Sequence, residues 1–271
     1  SSFVDVEDCF FVDAGATYDD PHPVTAVTID LLGVVTITCP GLGLEEGDEV
    51  DINGIEWEPL FDDNFNQTNP DQVEGRFTAI NVGGDAFDLE GVDGTDFQAY
   101  VRGGFGRKPV TTISGFDFLA GETVVGLLDG NTASDLAVDA SGVLTLPHPT
   151  SRAHIGLRYI GDLETLDIEA NSGQGTLQGH QKKINFVVVK FERTRGLLIG
   201  PNSDHMFEMK QRDAEVYGAP TDLLTGNTAP IFLESAWNSN GRIFLRQRYP
   251  LPFTVLAIIP NFEVGTREDN S

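Results

Sequence analysis

Short apolar runs alternate with glycine, proline and acidic turn residues along most of the chain. Their period of two marks half-buried strands. The stretch AVTIDLLGVVTITC (Ala26–Cys39) is rich in β-branched residues and breaks at Gly33, which predicts two strands joined by a tight turn. GDEVDIN alternates with Val50 and Ile52 on one face, and GRFTAINVGGDAFDLEGV gives two runs separated by the hairpin doublet Gly83-Gly84. FDLEGVDGTDFQAYVRGGFG (Phe87–Gly106) reads as another hairpin, with an acidic, glycine-studded turn and a second run carrying Phe97, Tyr100 and Val101. DDNFNQTNPDQ (Asp62–Gln72) reads as a long exposed loop.

Beyond Gly106, KPVTTISGF, ETVVGLLDG, DLAVDASGVLTL and RAHIGLRYI follow at the short spacing of a β-sandwich. KKINFVVVKFERT (Lys182–Thr194) is the longest apolar-centred strand. Strict alternation puts Asn185, Val187, Val189 and Phe191 on one face, and Phe186, Val188 and Lys190 on the other. GRIFLRQRYPLPFTVLAIIPNF adds two strands around Pro250-Leu251-Pro252. The best helix candidate, SDHMFEMKQRDAEV, lacks a 3.6-residue apolar stripe. The expected fold is all-β, a β-sandwich-like domain with an inserted small β-barrel domain.

An internal echo places the boundaries. PVTAV (Pro23–Val27) and PVTTI (Pro109–Ile113) flank the first strand-rich block, as two ends of an insertion or as coincidence between β-prone pentamers. The insertion reading is favoured, because the ends of an inserted domain lie close in space. It assigns 1–23 to the first strands of the main domain, 24–105 to the barrel and 106–271 to the rest of the sandwich. The expected barrel core is Val50, Ile52, Phe77, Ile80, Phe87 and Leu89. Val124, Leu127, Ile184, Val187, Val189, Val255 and Ile258 are expected in the second core.

Of the 271 residues 40% are hydrophobic, with 18 Phe, enough for a packed core. A formal net charge of −25 repels phosphates and anionic headgroups and argues against a nucleic-acid or lipid groove. Cys9 and Cys39 make no disulfide framework and are expected to be free thiols. No apolar run approaches the roughly 20 residues needed to span a bilayer, and no signal peptide opens the chain. It begins SSFVDVEDCFFVD, already in strand-like alternation, and is expected to be the C-terminal piece of a longer protein.

Chemistry-bearing patterns are sparse. His22, His148, His154, His180 and His205 are scattered without metal-ligand spacing. No nucleophile elbow, P-loop or H-E-x-x-H occurs, and among 42 acidic residues no catalytic pair can be nominated. DGNTASD (Asp129–Asp135) offers alternating oxygens, as calcium loops do, but a β-turn explains it as well or better. The one basic concentration is HQKK (His180–Lys183) with Lys190, Arg193 and Arg195. It fits an acidic neighbour such as another subunit better than DNA, with Arg193 and Arg195 as anchors. Trp57 and Trp237 are candidate carbohydrate platforms or ordinary partly buried tryptophans. The chain is not expected to be an enzyme, and no catalytic, cofactor or metal residue is assigned.

GDEVDI, FDLEGVDGT and YVRGG, within Val24–Phe105, resemble a small β-barrel module related to the first catalytic cysteine half-domain of ubiquitin-activating enzymes. No ATP site or catalytic-cysteine motif accompanies it, so the resemblance is to a scaffold. VDAGATYDD, PVTTISGFDFLAGETVVGLLDG, HIGLRYIGDLETL and GTLQGHQKKINFVVVKFERTRGLLIGP resemble the C-terminal half of podovirus tail nozzle proteins, also called tail tubular protein B, over about Phe10–Phe262. That resemblance implies a virion structural protein of the tail, assembled in the host cytoplasm as a homo-hexameric ring through which genomic DNA passes. Its partners would be ring subunits, the tail adaptor and fibre or needle proteins, with no cofactor, no sequence-specific nucleic-acid binding and no membrane span. The rival reading is a carbohydrate- or receptor-binding tail-tip module.

Overall fold

The computed structural model of the protein describes residues 10–61, 67–68, 73–169, 176–209 and 221–267. Cys9 and most of the loop expected at Asp62–Gln72 lie outside the described residues, as does the end of the helix candidate. The chain is all-β: the described residues hold strands and a 3-10 turn at Asp117–Leu119, and no α-helix. No helix among them is long and apolar enough to cross a membrane.

The strands are β1 (Asp13–Asp19), β2 (His22–Pro23), β3 (Ala26–Ile29), β4 (Val34–Thr38) and β5 (Glu49–Trp57). Then come β6 (Leu60–Phe61), β7 (Gln67–Thr68), β8 (Gly75–Gly83), β9 (Ala86–Asp93) and β10 (Tyr100–Arg107). They continue with β11 (Val110–Ile113), β12 (Thr123–Leu128), β13 (Asn131–Ala137), β14 (Leu144–Thr150) and β15 (Arg152–Leu157). The last are β16 (Gly161–Glu164), β17 (His180–Thr194), β18 (Leu197–Asn202), β19 (His205–Glu208), β20 (Leu224–Asn227), β21 (Ile231–Phe232), β22 (Phe244–Gln247) and β23 (Val255–Arg267). Two compact units result, one of Thr17–Ala120 with Val138–Ala153, the other of Ser1–Ala16, Gly121–Ala137 and His154–Ser271.

In the first unit, seven antiparallel strands run in the order β2-β10-β5-β8-β9-β4-β3. The sheet curls until β10 approaches β3, and the Val24 amide donates to the Gly104 carbonyl at 2.9 Å. Val35, Ile37, Val50, Ile52, Trp57, Ala79, Phe87 and Leu89 fill the interior. Cys39 is a free thiol among them; it donates to the His22 carbonyl at 3.3 Å, and burial pushes its pKa up. Gly106 has to lack a side chain, since a Cβ there would stand 2.9 Å from the Cys39 Sγ.

Two expectations fail here. Phe87–Gly106 is not a hairpin: β9 pairs with β4 and β8, while β10 pairs with β5 and β2. The intervening acidic turn crosses between strand pairs, pinned by the Gly94 amide on the Gly33 carbonyl at 2.8 Å. Period-2 patterning identifies strands but not their partners. Ile80 is outside the barrel core, because it lies three residues from Phe77 and so on the opposite pleat. Ala79 points inward instead, with Phe77 partly buried beside it.

Predicted turns appear with small shifts. Gly33 (φ 80°) closes the β3–β4 turn, and Gly84 (φ 67°), after Gly83, opens the β8–β9 turn. One turn design occurs twice. The Asp30 carboxylate accepts from the Leu32 and Val34 amides at 2.8 and 2.9 Å; Asp139 accepts from Ser141 and Val143, both at 2.8 Å. Each is a D-x-x-G-V segment with glycine at positive φ, an echo as long as the PVT pentamers.

The second unit contains the sheets β16-β22-β18-β19 and β20-β17-β21, the latter extended by β23 on β17. Their inner faces meet as a sandwich: Ile184, Val187, Val189 and Phe191 of β17 pack on Leu197, Ile199 and Leu245. Val255 and Ile258 are partly buried against this core, as expected of them. Leu127 is buried in a smaller cluster with Leu251.

Back in the first unit, Arg107 is buried and donates to the Asp19 carboxylate at 2.6 Å and to the Asn53 amide oxygen at 3.1 Å. Arg152 lies 3.3 Å from the same carboxylate. Burial would raise the Asp19 carboxyl, but the hydrogen bond and charge of Arg107, with Arg152, outweigh it and hold the pKa below the usual range. Asp19→Asn leaves Arg107 without its counter-ion and is expected to cost about 2 kcal/mol, less than a fully buried pair because solvent reaches part of Asp19. A depressed carboxyl contributes stability that is present above its unfolded pKa and lost as pH falls through the folded value. In urea melts across pH, the gap between wild type and Asp19→Asn should be full at neutrality and close below about pH 4. A gap that is absent at neutrality, or unchanged in acid, contradicts this role.

Candidate functional site

Of the chemistry singled out in the sequence, the basic run from His180 lies on β17. Its β-branched centre favours extended backbone, and β23 pairs with it along nearly its whole length. Two irregularities break the simple alternation. The ladder shifts between Ile184 and Phe186, and again around Arg193, a non-glycine residue at φ 46°. The inward parity therefore changes twice: Lys182 and Ile184, then Val187, Val189 and Phe191, then Thr194.

This change draws Lys182 inside, where it is 1% exposed. Its ammonium donates to the Ser239 carbonyl at 2.8 Å, and its backbone exchanges hydrogen bonds with Asn238 at 2.6 and 3.0 Å. Gly241 (φ 61°) lies against the Lys182 stem, where a Cβ would stand within 3.3 Å of it. Glu169 adds a weaker attraction; its carboxyl is held low mainly by hydrogen bonds from the Thr176 hydroxyl and the Leu177 amide.

Arg195 is also buried, and its guanidinium donates to the Gly130 carbonyl at 2.9 Å. Gly130 and Asp129 form the two-residue turn between β12 and β13, both at positive φ (75° and 44°) as a type I′ hairpin requires. The calcium-like DGNTASD segment is thus a hairpin whose turn carbonyl already receives a cationic side chain. Among the described residues no group of three His, Cys, Asp or Glu could hold a metal.

The other two lysines of β17 point elsewhere. Phe186, Val188 and Lys190 share its outer face, cross-strand from Asn261, Ile259 and Ala257. Lys183 lies opposite Glu263. Among the described Lys and Arg residues, Lys183 and Lys190 are those whose side chains make no ion pair or hydrogen bond. Phe232 is 73% exposed and meets Phe186 at a ring separation of 5.7 Å, and Ile259 is half exposed beside them. This apolar outer face is not legible in the sequence, because Phe232 lies on a two-residue strand directly after Pro230.

The other candidates separate. Trp57 is buried in the barrel, edge-on to Phe97 at 5.7 Å, and is no platform. Trp237 is 44% exposed and lies over Gly265, where a Cβ would stand 3.2 Å from the indole. The histidines do not come together. His22 contacts the Pro40 carbonyl, His180 the Gly265 carbonyl and His205 the Asn202 side chain; His154 stacks on Phe10 at 4.2 Å, and His148 is exposed. No family model matches the chain, and no curated protein matches it.

Arg195→Ala removes packing and leaves the Gly130 carbonyl without its donor, with an expected loss of about 2–4 kcal/mol. Lys182→Met keeps the apolar stem and removes the buried charge, so it is expected to be neutral or stabilising. Lys190→Ala should stay within about 0.5 kcal/mol. Chemical denaturation of the three variants checks the ranking, and an Arg195→Ala cost no larger than that of Lys190→Ala contradicts it.

Proposed function

We propose that the chain is a structural subunit of a bacteriophage short tail, of the nozzle type, whose surface faces DNA without gripping it. The observation that carries this reading is the partial withdrawal of the basic run on and beside β17. Lys182 and Arg195 are buried on backbone carbonyls, so in a chain of net charge −25 the run offers phosphates no continuous cationic track among the described residues. Duplex DNA carries one charge per about 1.7 Å of axis, and a conduit with few surface cations lets it slide. The two β units and the order of the GETV, LLDG and HIGLRY segments support the same reading. In this setting the chain's partners are its ring neighbours, the tail adaptor and fibre or needle proteins, and it resides in the virion tail.

A second reading has one observation in its favour. Trp237 presents an exposed indole over Gly265, a flat surface suited to a sugar ring. It assigns the chain to a carbohydrate- or receptor-binding tail-tip module.

Fluorescence anisotropy with a short labelled duplex separates the conduit from a DNA binder. The expected result is no binding at physiological salt, with repulsion that weakens as salt is raised. Affinity of about 10⁻⁶ M that falls steeply with salt would replace the conduit reading. Produced from its own genome, the chain should also co-purify with tailed particles and be labelled at the tail by immunogold. Its absence from such particles contradicts the structural role.

A further inference from the structure

The turn between β3 and β4 presents Leu31 and Leu32 to solvent almost without cover, at 101% and 86% exposure. The turn itself does not need them. The sister turn at Asp139 makes the same hydrogen bonds with Ala140 and Ser141 in their places. Nor is the tip loose: Asp30 holds the Leu32 and Val34 amides, and Gly94 bonds the Gly33 carbonyl at 2.8 Å. A rigid turn thus displays two leucines beside the exposed acid Asp93, with exposed Asp96 three residues on in the adjoining Gly94–Phe97 turn.

The outer face of β17 has the complementary character. Phe186, Val188, Phe232 and Ile259 make an exposed apolar surface, and Lys190, on the same face, is without an ionic partner in a chain of net charge −25. We propose that the Leu31-Leu32 tip of one copy docks on this β17 face of a second copy, with Asp93 and Asp96 meeting Lys190. Charge complementarity selects this occupant: the face offers cation and apolar area, and the tip offers apolar area and anions. Each copy carries both halves, so the contact is head-to-tail and propagates into a ring or a filament. It rests on the structural-subunit reading and names the contact by which such subunits join.

Sedimentation velocity of the full chain over a dilution series tests it. Wild type should associate with concentration, and Leu31→Ser/Leu32→Ser or Lys190→Glu should each weaken association by a factor of about ten or more. Circular dichroism should be unchanged, since every altered side chain is exposed. An equimolar mixture of the two variants retains one intact tip and one intact face, and should stop at dimers. Carbodiimide coupling of Lys190 to Asp93 or Asp96 between isotopically distinct copies gives an independent readout. A wild type that stays monomeric throughout overturns the contact, as does association that survives the double serine variant or a mixture that forms no dimer. Incorporation into tailed particles is a separate readout, so a failed contact and a failed tail reading are told apart.

Discussion

A buried cation persists only where oxygen acceptors are already fixed around it, and the sandwich of this protein is arranged around two. Removing an ammonium from water costs several kcal/mol even after relaxation, so the acceptor must be held before the charge is buried. For Lys182 it is the Ser239 carbonyl, held by the bridge between residues 182 and 238 and by the close approach of Gly241. For Arg195 it is the Gly130 carbonyl in a tight hairpin turn. The bulges of β17 follow from this: without them the strand could not turn Lys182, Val187 and Thr194 all inward.

The same economy of charge governs the first unit. Arg76 grips Asp51 with two bonds of 2.9 and 2.7 Å and also holds the Pro149 carbonyl, while Ser151 donates to the same carboxylate. Arg107 and Arg152 share Asp19, and Lys108 pairs with Asp48 at 2.6 Å. Basic side chains are few, and nearly all the described ones tie strands or turns together inside a unit. The surface therefore keeps the acids that internal pairing leaves over, and long-range repulsion of polyanions follows from how the fold uses its cations.

Much of the fold was legible because it depends on local chemistry. Val50, Ile52, Val187 and Val189 are buried where alternation places them, and Gly33 turns the chain where a strand-rich run breaks. Pairing was not legible: nothing local tells β10 to leave β9 and join β5. Bulges were not legible either, since an extra residue changes parity without changing composition, which is why the burial of Lys182 could not be read from alternation along β17. The site was less legible still. Leu31 and Leu32 read as strand residues at a turn, and the exposure of Phe232 depends on how β21 pairs with β17.

The central claim, that β17 divides its cations between the interior and an outer face, is tested most directly by amine acylation of the native chain read by mass spectrometry. Lys183 and Lys190 should be modified readily, and Lys182 should stay protected until the protein is unfolded. Lys182 modified as fast as Lys190 under native conditions would contradict the account.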